Sequence, residues 1–316
     1  MLNLDAETVA RVLPYEQLIG ALEDAFTKDI TAPQRTHLDV SVADGNPGNL
    51  LLMPAWQVGG GMGVKIATIF PDNARQNYPA VFASYILMSA ETGEPLAILD
   101  GSELTLRRTA AASALTSRFL SRENSSRLLM VGTGKLAPHM IAAHTAVRPI
   151  QEVLIWGRNA DAARQVAEQA ASAAFSVSVV ENLQDAVGAV DIISCATLAV
   201  EPLVKGAWLR DGQHLDLVGA FRPDMREADT DAVVRSSVFV DTRAGAFAEA
   251  GEIVQAIQTD SITAADIVGE LSELVTGEVT GRRNDKEITL FKSVGAALED
   301  LAAAELAVHK ILAESA

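Results

Sequence analysis

"RLLMVGTGKLA", Arg127–Ala137, is the stretch that decides the fold. Four apolar residues, Leu128–Val131, run directly into Gly132-Thr133-Gly134, and a helix-prone segment opens at Leu136. The first glycine permits a tight turn and the second lets the backbone come close to a pyrophosphate. The third position needs only a small residue for helix–strand packing, which Ala137 supplies. Free N–H groups and the dipole at the helix start then suit phosphate. Alone, the pattern is weak, because an ordinary strand–turn–helix junction can carry two glycines. Its surroundings strengthen it. "EVLIW", "FSVSVV", "DIISCA", "QHLDLVG" and "SVFVDT" follow as short buried-strand candidates, with helical spacing over Leu136–Val147 and Ala160–Ala174. Strands alternating with helices predict a parallel, doubly wound α/β sheet.

The first third has another texture. Leu4–Lys28 reads as two short helices, with Pro14 opening the second, where a missing N–H costs little. "RTHLDVS", "NLLLMPAW" and "GVKIATIF" are partly alternating runs split by Gly, Asn and Pro, and "AVFASYILMSAETGEPLAILD" reads as a hairpin bending at Thr92–Pro95. Ser102 is placed to cap a helix through "ELTLRRTAAASALTSRFL". The expected organisation is an α+β domain over 1–120, joined by the Ala- and Leu-rich 294–316, and a dinucleotide-binding domain over 121–293. The polar "SRENSS" at Ser121–Ser126 marks the boundary.

Bulk properties narrow the partners. The chain has 316 residues, 49% apolar and 21% charged, which is the composition of a globular protein. A net charge of −16 disfavours nucleic acid and anionic membrane surfaces. The single cysteine, Cys195, excludes an intrachain disulfide and fits a reducing compartment. "MLNLDAETVA" has no basic and apolar leader pattern, and no apolar run reaches the ~18–20 residues of a membrane span, so a cytoplasmic protein is expected.

The second strand candidate ends in "WGRNAD". In dinucleotide folds that place reads the ribose, and a carboxylate there accepts from both hydroxyls and repels a 2′-phosphate. This chain offers Gly157, Arg158 and Asn159. Gly157 leaves room, Arg158 suits a bidentate phosphate contact, and Asn159 with the helix start adds donors. NADPH is therefore expected ahead of NADH; the alternative is an arginine facing water. Lys135 either touches a phosphate or is solvated. His139 and His144 lack Cys, Asp or Glu at ligand spacing, so no metal is expected. Cys195 reads as core with possible cofactor contact, since nothing nearby would lower its pKa.

Three cations interrupt apolar sequence in the first third: Arg35 in "PQRTHLDV", Lys65 in "GVKIATIF" and Arg108 in "TLRRTAAASAL". If they converge, two arginines hold a carboxylate and the lysine stands beside the reacting nitrogen. Solvent-face cations are the commoner outcome of such spacing.

"GVKIATIFPDN", "ETGEPLAILDGSELTLRRTAAASAL", "LLMVGTGKLA", "VGAFRPDMREAD" and "ITLFKSVGAALEDLAAAELA" together, and in this order, resemble the ornithine cyclodeaminase/mu-crystallin family. The resemblance implies a homodimer, a substrate and dimerisation domain formed by the N-terminal third with the last helix, and a Rossmann domain in the middle. It implies an active site in the cleft between the two domains. Arg35, Lys65 and Arg108 match its substrate-carboxylate and catalytic positions, and Thr109 matches a cofactor-side contact. Thr68, Asn73 and Pro79 are expected near the pocket.

The family's cyclodeaminases resemble "VGGD-x-P" in the loop after the fifth strand, and its aspartate serves deamination and ring closure. Here Phe221 stands in that place, and a phenyl ring exchanges no protons. The glutamate they carry two residues before the methionine of "NLLLMP" is Leu51 here. The form "GAFRPDMREAD" is similar to the branch that reduces cyclic ketimines. The resemblance thus implies an NADPH-dependent reductase of Δ1-pyrroline-2-carboxylate, Δ1-piperideine-2-carboxylate or both, making L-proline or L-pipecolate. Ornithine cyclodeaminase, alanine dehydrogenase and 3-hydroxyproline dehydratase activities, and a non-catalytic NADPH-binding protein like mu-crystallin, are the alternatives.

Overall fold

A computed structural model describes residues 1–43, 45–76 and 78–314. The chain forms two compact units, Met1–Thr109 with Ala296 onward, and Ala110–Gly295. The division falls inside a helix, whereas the polar Ser121–Ser126 stretch was the expected boundary. Small side chains let that helix continue unbroken through "TAAASAL".

The first unit opens with β1 (Leu2–Leu4), α1 (Ala6–Val12) and α2 (Tyr15–Phe26). Asp5 caps α1 by accepting from the Thr8 N–H at 2.9 Å, and Pro14 is the N-cap of α2. Strands β2 (Ile30–Thr31), β3 (Thr36–Val40), β4 (Gly48–Gln57), β5 (Gly61–Ile69), β6 (Val81–Ser89) and β7 (Pro95–Asp100) follow, then α3 (Gly101–Leu120). The sheet runs β1-β7-β6-β5-β4-β2, with β3 also on β4, and is antiparallel except for β1 on β7. The expected hairpin is β6–β7, its bend using Gly93 at φ +73°. The α3 cap is Asp100, whose Oδ1 accepts from the Glu103 N–H at 2.7 Å; Ser102, the expected cap, lies one residue inside the helix.

The second unit is the predicted doubly wound sheet. Its elements are β8 (Arg127–Val131), α4 (Leu136–Thr145), β9 (Glu152–Trp156), α5 (Ala160–Gln169), β10 (Ser176–Val179), α6 (Leu183–Val187), β11 (Ile192–Cys195), β12 (His214–Leu217), α7 (Thr230–Val234), β13 (Ser237–Val240), α8 (Arg243–Glu249), α9 (Gly251–Gln258), β14 (Ile267–Glu270), α10 (Leu271–Thr276) and β15 (Thr289–Lys292). The order is β10-β9-β8-β11-β12-β15-β13-β14, and every pairing is parallel. Chain order reverses between β8 and β11, where such sheets leave a crevice at the strand ends. Two strands go beyond the six read from sequence. One is β15, which lies just before the Ala- and Leu-rich C-terminal stretch and is inserted between β12 and β13.

The chain returns to the first unit as α11 (Ala297–Glu314), packed on β4, β5 and β6 and beside α2. Its Ala302, Ala303, Ala304 and Ala307 are buried, and such small side chains allow close approach to the sheet. The opposite, outward face of the sheet carries Leu52, Pro54, Val64, Ile66, Ile86 and Met88, all half-exposed, with Phe82 47% exposed.

Candidate active site

In the first unit, strand alternation places Met53, Lys65, Tyr85 and Leu99 opposite one another in one row of the inner sheet face. Only 3% of Lys65 is exposed. A lysine there must be paired, and α11 supplies the partner. Lys65 Nζ lies 3.0 Å from Asp300 Oδ1 and 2.8 Å from Oδ2. Arg108, on α3, donates from Nε to Asp300 Oδ1 at 3.0 Å and from Nη1 to Glu299 Oε2 at 2.6 Å. Both carboxylates are fully buried. Arg35 is half-buried, and its charge acts on Lys65 and on Asp300. The structure therefore brings Arg35, Lys65 and Arg108 into one electrostatic group around Asp300.

Burial, then the Arg108 charge, brings the Lys65 ammonium down from 10.5 to about 8, while Asp300 pulls the other way. Burial pushes the Asp300 carboxyl up, but Lys65 and Arg108 outweigh it and hold the group below the ordinary carboxylate range. The Tyr85 hydroxyl, directly across from Lys65, is buried without a hydrogen-bond partner and lies within the field of Asp300 and Glu305. A Cβ on Gly63 would collide with that hydroxyl. Leu51 is buried one row from Lys65, opposite Ala67, so β4 brings no carboxylate to this group. Thr68 lies on the other face of β5 from Lys65, and Asn73 Nδ2 is bound to the Pro79 carbonyl at 2.8 Å.

Sequence reasoning missed Glu299 and Asp300. The signal was present: two adjacent acids in "GAALEDLAAAEL" interrupt an apolar helix, and buried acids require cationic partners.

In the second unit, Gly132 adopts φ +122°, and a Cβ there would meet the Ala196 carbonyl at 2.7 Å. The loops after β8 and β11 therefore approach closely at the crevice. Gly134 is exposed, with nothing within 4 Å of where its Cβ would sit, and Lys135 beside it is exposed. Ala137 is buried beneath, its N–H donating to the Gly134 carbonyl at 3.0 Å. A Cβ on Gly157 would strike the Thr133 methyl, so the turns after β8 and β9 pack together only with glycine there. Open space over Gly134, at the head of α4, fits a pyrophosphate.

Arg158 is exposed and makes no hydrogen bond or ion pair among the described residues. Asn159 is the α5 cap: its Oδ1 accepts from Asp161 N at 2.9 Å and Ala162 N at 3.1 Å, leaving only its amide donors for a ligand. Beyond the ends of β9 and β10 lies a hollow of about 490 Å³ lined by Trp156, Glu181, Leu183 and Trp208, among others. Thr109 is half-buried on α3, next to Arg108.

The other candidates are structural. Burial pushes the Cys195 thiol well above its ordinary range. His144 is fully buried with Nε2 3.1 Å from Asp216 Oδ2, and Asp216 also accepts from Ser113 and Ser194, each at 2.8 Å. No cluster of three metal-type side chains occurs among the described residues, and none of their helices is long and apolar enough to cross a membrane.

A doubly wound unit with a glycine turn at the end of its first strand, and a second unit carrying a buried cation group, define a class of nucleotide-binding α/β proteins. Within it, the ornithine cyclodeaminase/mu-crystallin family model matches residues 2–315, and the chain belongs to that family. The chain is 39% identical over 314 residues to a Δ1-pyrroline-2-carboxylate reductase of Colwellia psychrerythraea, covering 98% of each. The structure of Thermococcus litoralis Δ1-pyrroline-2-carboxylate reductase in complex with NADH and L-proline is similar with a TM-score of 0.94 at 34% identity. That match covers 100% of this chain and 98% of the other. An archaeal alanine dehydrogenase dimer with bound NAD is similar at TM-score 0.92 and 30% identity, covering 100% and 97%.

Proposed function

We propose that this chain is a nicotinamide-dependent imine reductase. It would convert Δ1-pyrroline-2-carboxylate, or the six-membered Δ1-piperideine-2-carboxylate, to L-proline or L-pipecolate, with NADPH as the reductant. The observation that carries the reading is the buried Lys65–Asp300–Arg108 group, with Arg35 acting on it. Buried cations at this density are poor stabilisers, and their value lies in what they bind.

In this reading the first unit holds the substrate and the second the cofactor. Arg35 and Arg108 hold the ring carboxylate and orient C2 of the imine; positioning of this kind supplies several kcal/mol of barrier reduction, up to about 7–11 in favourable systems. The cofactor, when bound, supplies a hydride. As C2 gains its new C–H bond, the C=N π pair moves to the ring nitrogen, which takes up a proton. Lys65, directly or through a water it orients, is the donor: a pKa of about 8 leaves it protonated at neutral pH yet able to give the proton up. Asp300 holds the ammonium in place, and solvent restores the proton. Phe221, in place of an acid, has no proton to exchange, in keeping with a substrate that is reduced without deamination.

NADPH is preferred because Arg158 stands where an acid would repel a 2′-phosphate, and its guanidinium is uncommitted. A homodimer is supported by the apolar outward face of the first unit's sheet, which a second copy would cover. The test is oxidation of NADPH by purified protein on addition of each cyclic imine. Turnover with either supports the proposal. No turnover with both, together with ammonia release from ornithine, favours cyclodeaminase chemistry instead.

A further inference from the structure

Glu227 lies past Phe221, within the "GAFRPDMREAD" stretch, and its side chain ties two loops together. It is fully buried, and its two oxygens divide their work between two loops. Oε1 accepts from Thr197 N at 2.5 Å and Thr197 Oγ1 at 3.0 Å, in the loop after β11. Oε2 accepts from Gly219 N at 2.8 Å and Ala220 N at 3.4 Å, in the loop after β12. A Cβ on Gly219 would strike the Thr197 backbone, so the loops touch where the carboxylate joins them. Thr197 in turn reaches the phosphate turn, since a Cβ on Gly132 would meet its methyl at 3.1 Å.

Behind Glu227 stands a second carboxylate and one cation. Glu252, on α9, accepts the Glu227 N–H at 2.6 Å, and its other oxygen lies 3.1 Å from Lys292 Nζ. Lys292, on β15, donates to the Ala220 carbonyl at 2.6 Å. Two acids thus share one lysine in the interior. Cys195, at the end of β11, also lies in this field, with Glu227, Asp216, Glu252 and Lys292 all acting on it.

We propose that Glu227 is a positioning residue for the dinucleotide: its carboxylate holds the strand-end loops at Thr197 and Gly219–Ala220 in the arrangement that receives the nicotinamide half, and protonation releases them. The proposal rests on the nicotinamide reading above. Its chemical basis is acceptor count. Ionised, the group accepts charge-assisted bonds from every donor around it; protonated, it loses the charge that strengthens the bonds from the Thr197, Gly219 and Ala220 N–H groups, and its O–H has only the Thr197 hydroxyl to turn to. Burial, and the neighbouring Glu252 charge, push Glu227 up to about 7 against the pull of Lys292 and the Thr197 and Gly219 N–H groups, so this exchange falls in the working range of pH.

The experiment is the dissociation constant for NADH, read by cofactor fluorescence between pH 5.5 and 9. NADH is chosen because the 2′-phosphate of NADPH itself titrates near pH ~6. The wild type is expected to bind progressively more weakly below a midpoint near 7, by about tenfold one unit below it, as the competent fraction falls. Glu227→Gln should bind weakly and without that pH dependence. Glu252→Gln, which removes the charge that raises Glu227, should move the midpoint to lower pH. Should Glu227→Gln fail to fold, the other two profiles still decide. A flat wild-type profile, an unchanged profile in Glu227→Gln, or an unmoved midpoint in Glu252→Gln overturns the inference with the cofactor reading intact. No NADH or NADPH binding at any pH overturns both.

Discussion

Replacing Lys65 by methionine should remove catalysis and strengthen the fold at the same time. The two effects that compete for the stability change can be weighed from the geometry. Loss of the Lys65–Asp300 pair deprives a buried carboxylate of one partner, and breaking a buried pair outright costs about 3–5 kcal/mol. Asp300, however, keeps Arg108 at 3.0 Å, so it is not left alone. Against this stands the cost of burying the ammonium. A fall from 10.5 to about 8 means that burial and Arg108 outweigh Asp300. At about 1.4 kcal/mol per pKa unit, the charged lysine costs the folded state roughly 3 kcal/mol at pH 7.

The sign over pH follows from proton counting. Between about 8 and 10.5 the unfolded lysine holds its proton while the folded one releases it, so wild-type stability rises with pH in that window. Below 8 both states are protonated and the penalty is complete. Lys65→Met should therefore be more stable than wild type by up to about 3 kcal/mol at pH 7, the margin narrowing as pH climbs through 8 towards 10.5. Urea titrations of both proteins at pH 7 and pH 10 measure this, alongside imine reduction, which should drop by about 10²–10⁴ with loss of the proton donor. A variant less stable than wild type at both pH values would show that Asp300 dominates and that the lysine is held as a structural pair.

Two further predictions concern the second unit. Gly134→Val places its side chain in space that is open within 4 Å, so thermal stability should stay close to wild type while NADPH binding is lost; unchanged NADPH affinity by fluorescence titration would remove the phosphate from that turn. Arg158→Asp should weaken NADPH by at least tenfold, a charge-assisted phosphate contact being worth roughly 1.5–3 kcal/mol, with a much smaller effect on NADH. Equal losses for both cofactors would mean that the arginine faces water.

Much of this was legible because local chemistry and tertiary structure agree. The strand, the two glycines and the small Ala137 state the strand–turn–helix junction without help from elsewhere, and five later apolar runs became strands where expected. The strand β15 was hidden because "TLFK" is short and the Ala- and Leu-rich α11 opens soon after it, at Ala297. The three cations were visible as interruptions of apolar sequence, but their partners were not. Asp300 is 235 residues from Lys65 in sequence, and only the return of α11 to the first sheet brings them together. Glu227, Glu252 and Lys292 were missed for the same reason: they are far apart in sequence, and only the assembled strand ends bring them together.

The central claim is net reduction of a cyclic imine at the expense of NADPH. Its most direct test follows product and cofactor together, by mass spectrometry and absorbance, in one reaction of the wild-type protein with Δ1-pyrroline-2-carboxylate. The account predicts one L-proline formed for each NADPH consumed, with NADH used less well. NADPH unconsumed with both the five- and six-membered imines, or NADPH consumed with no L-proline appearing, would contradict it.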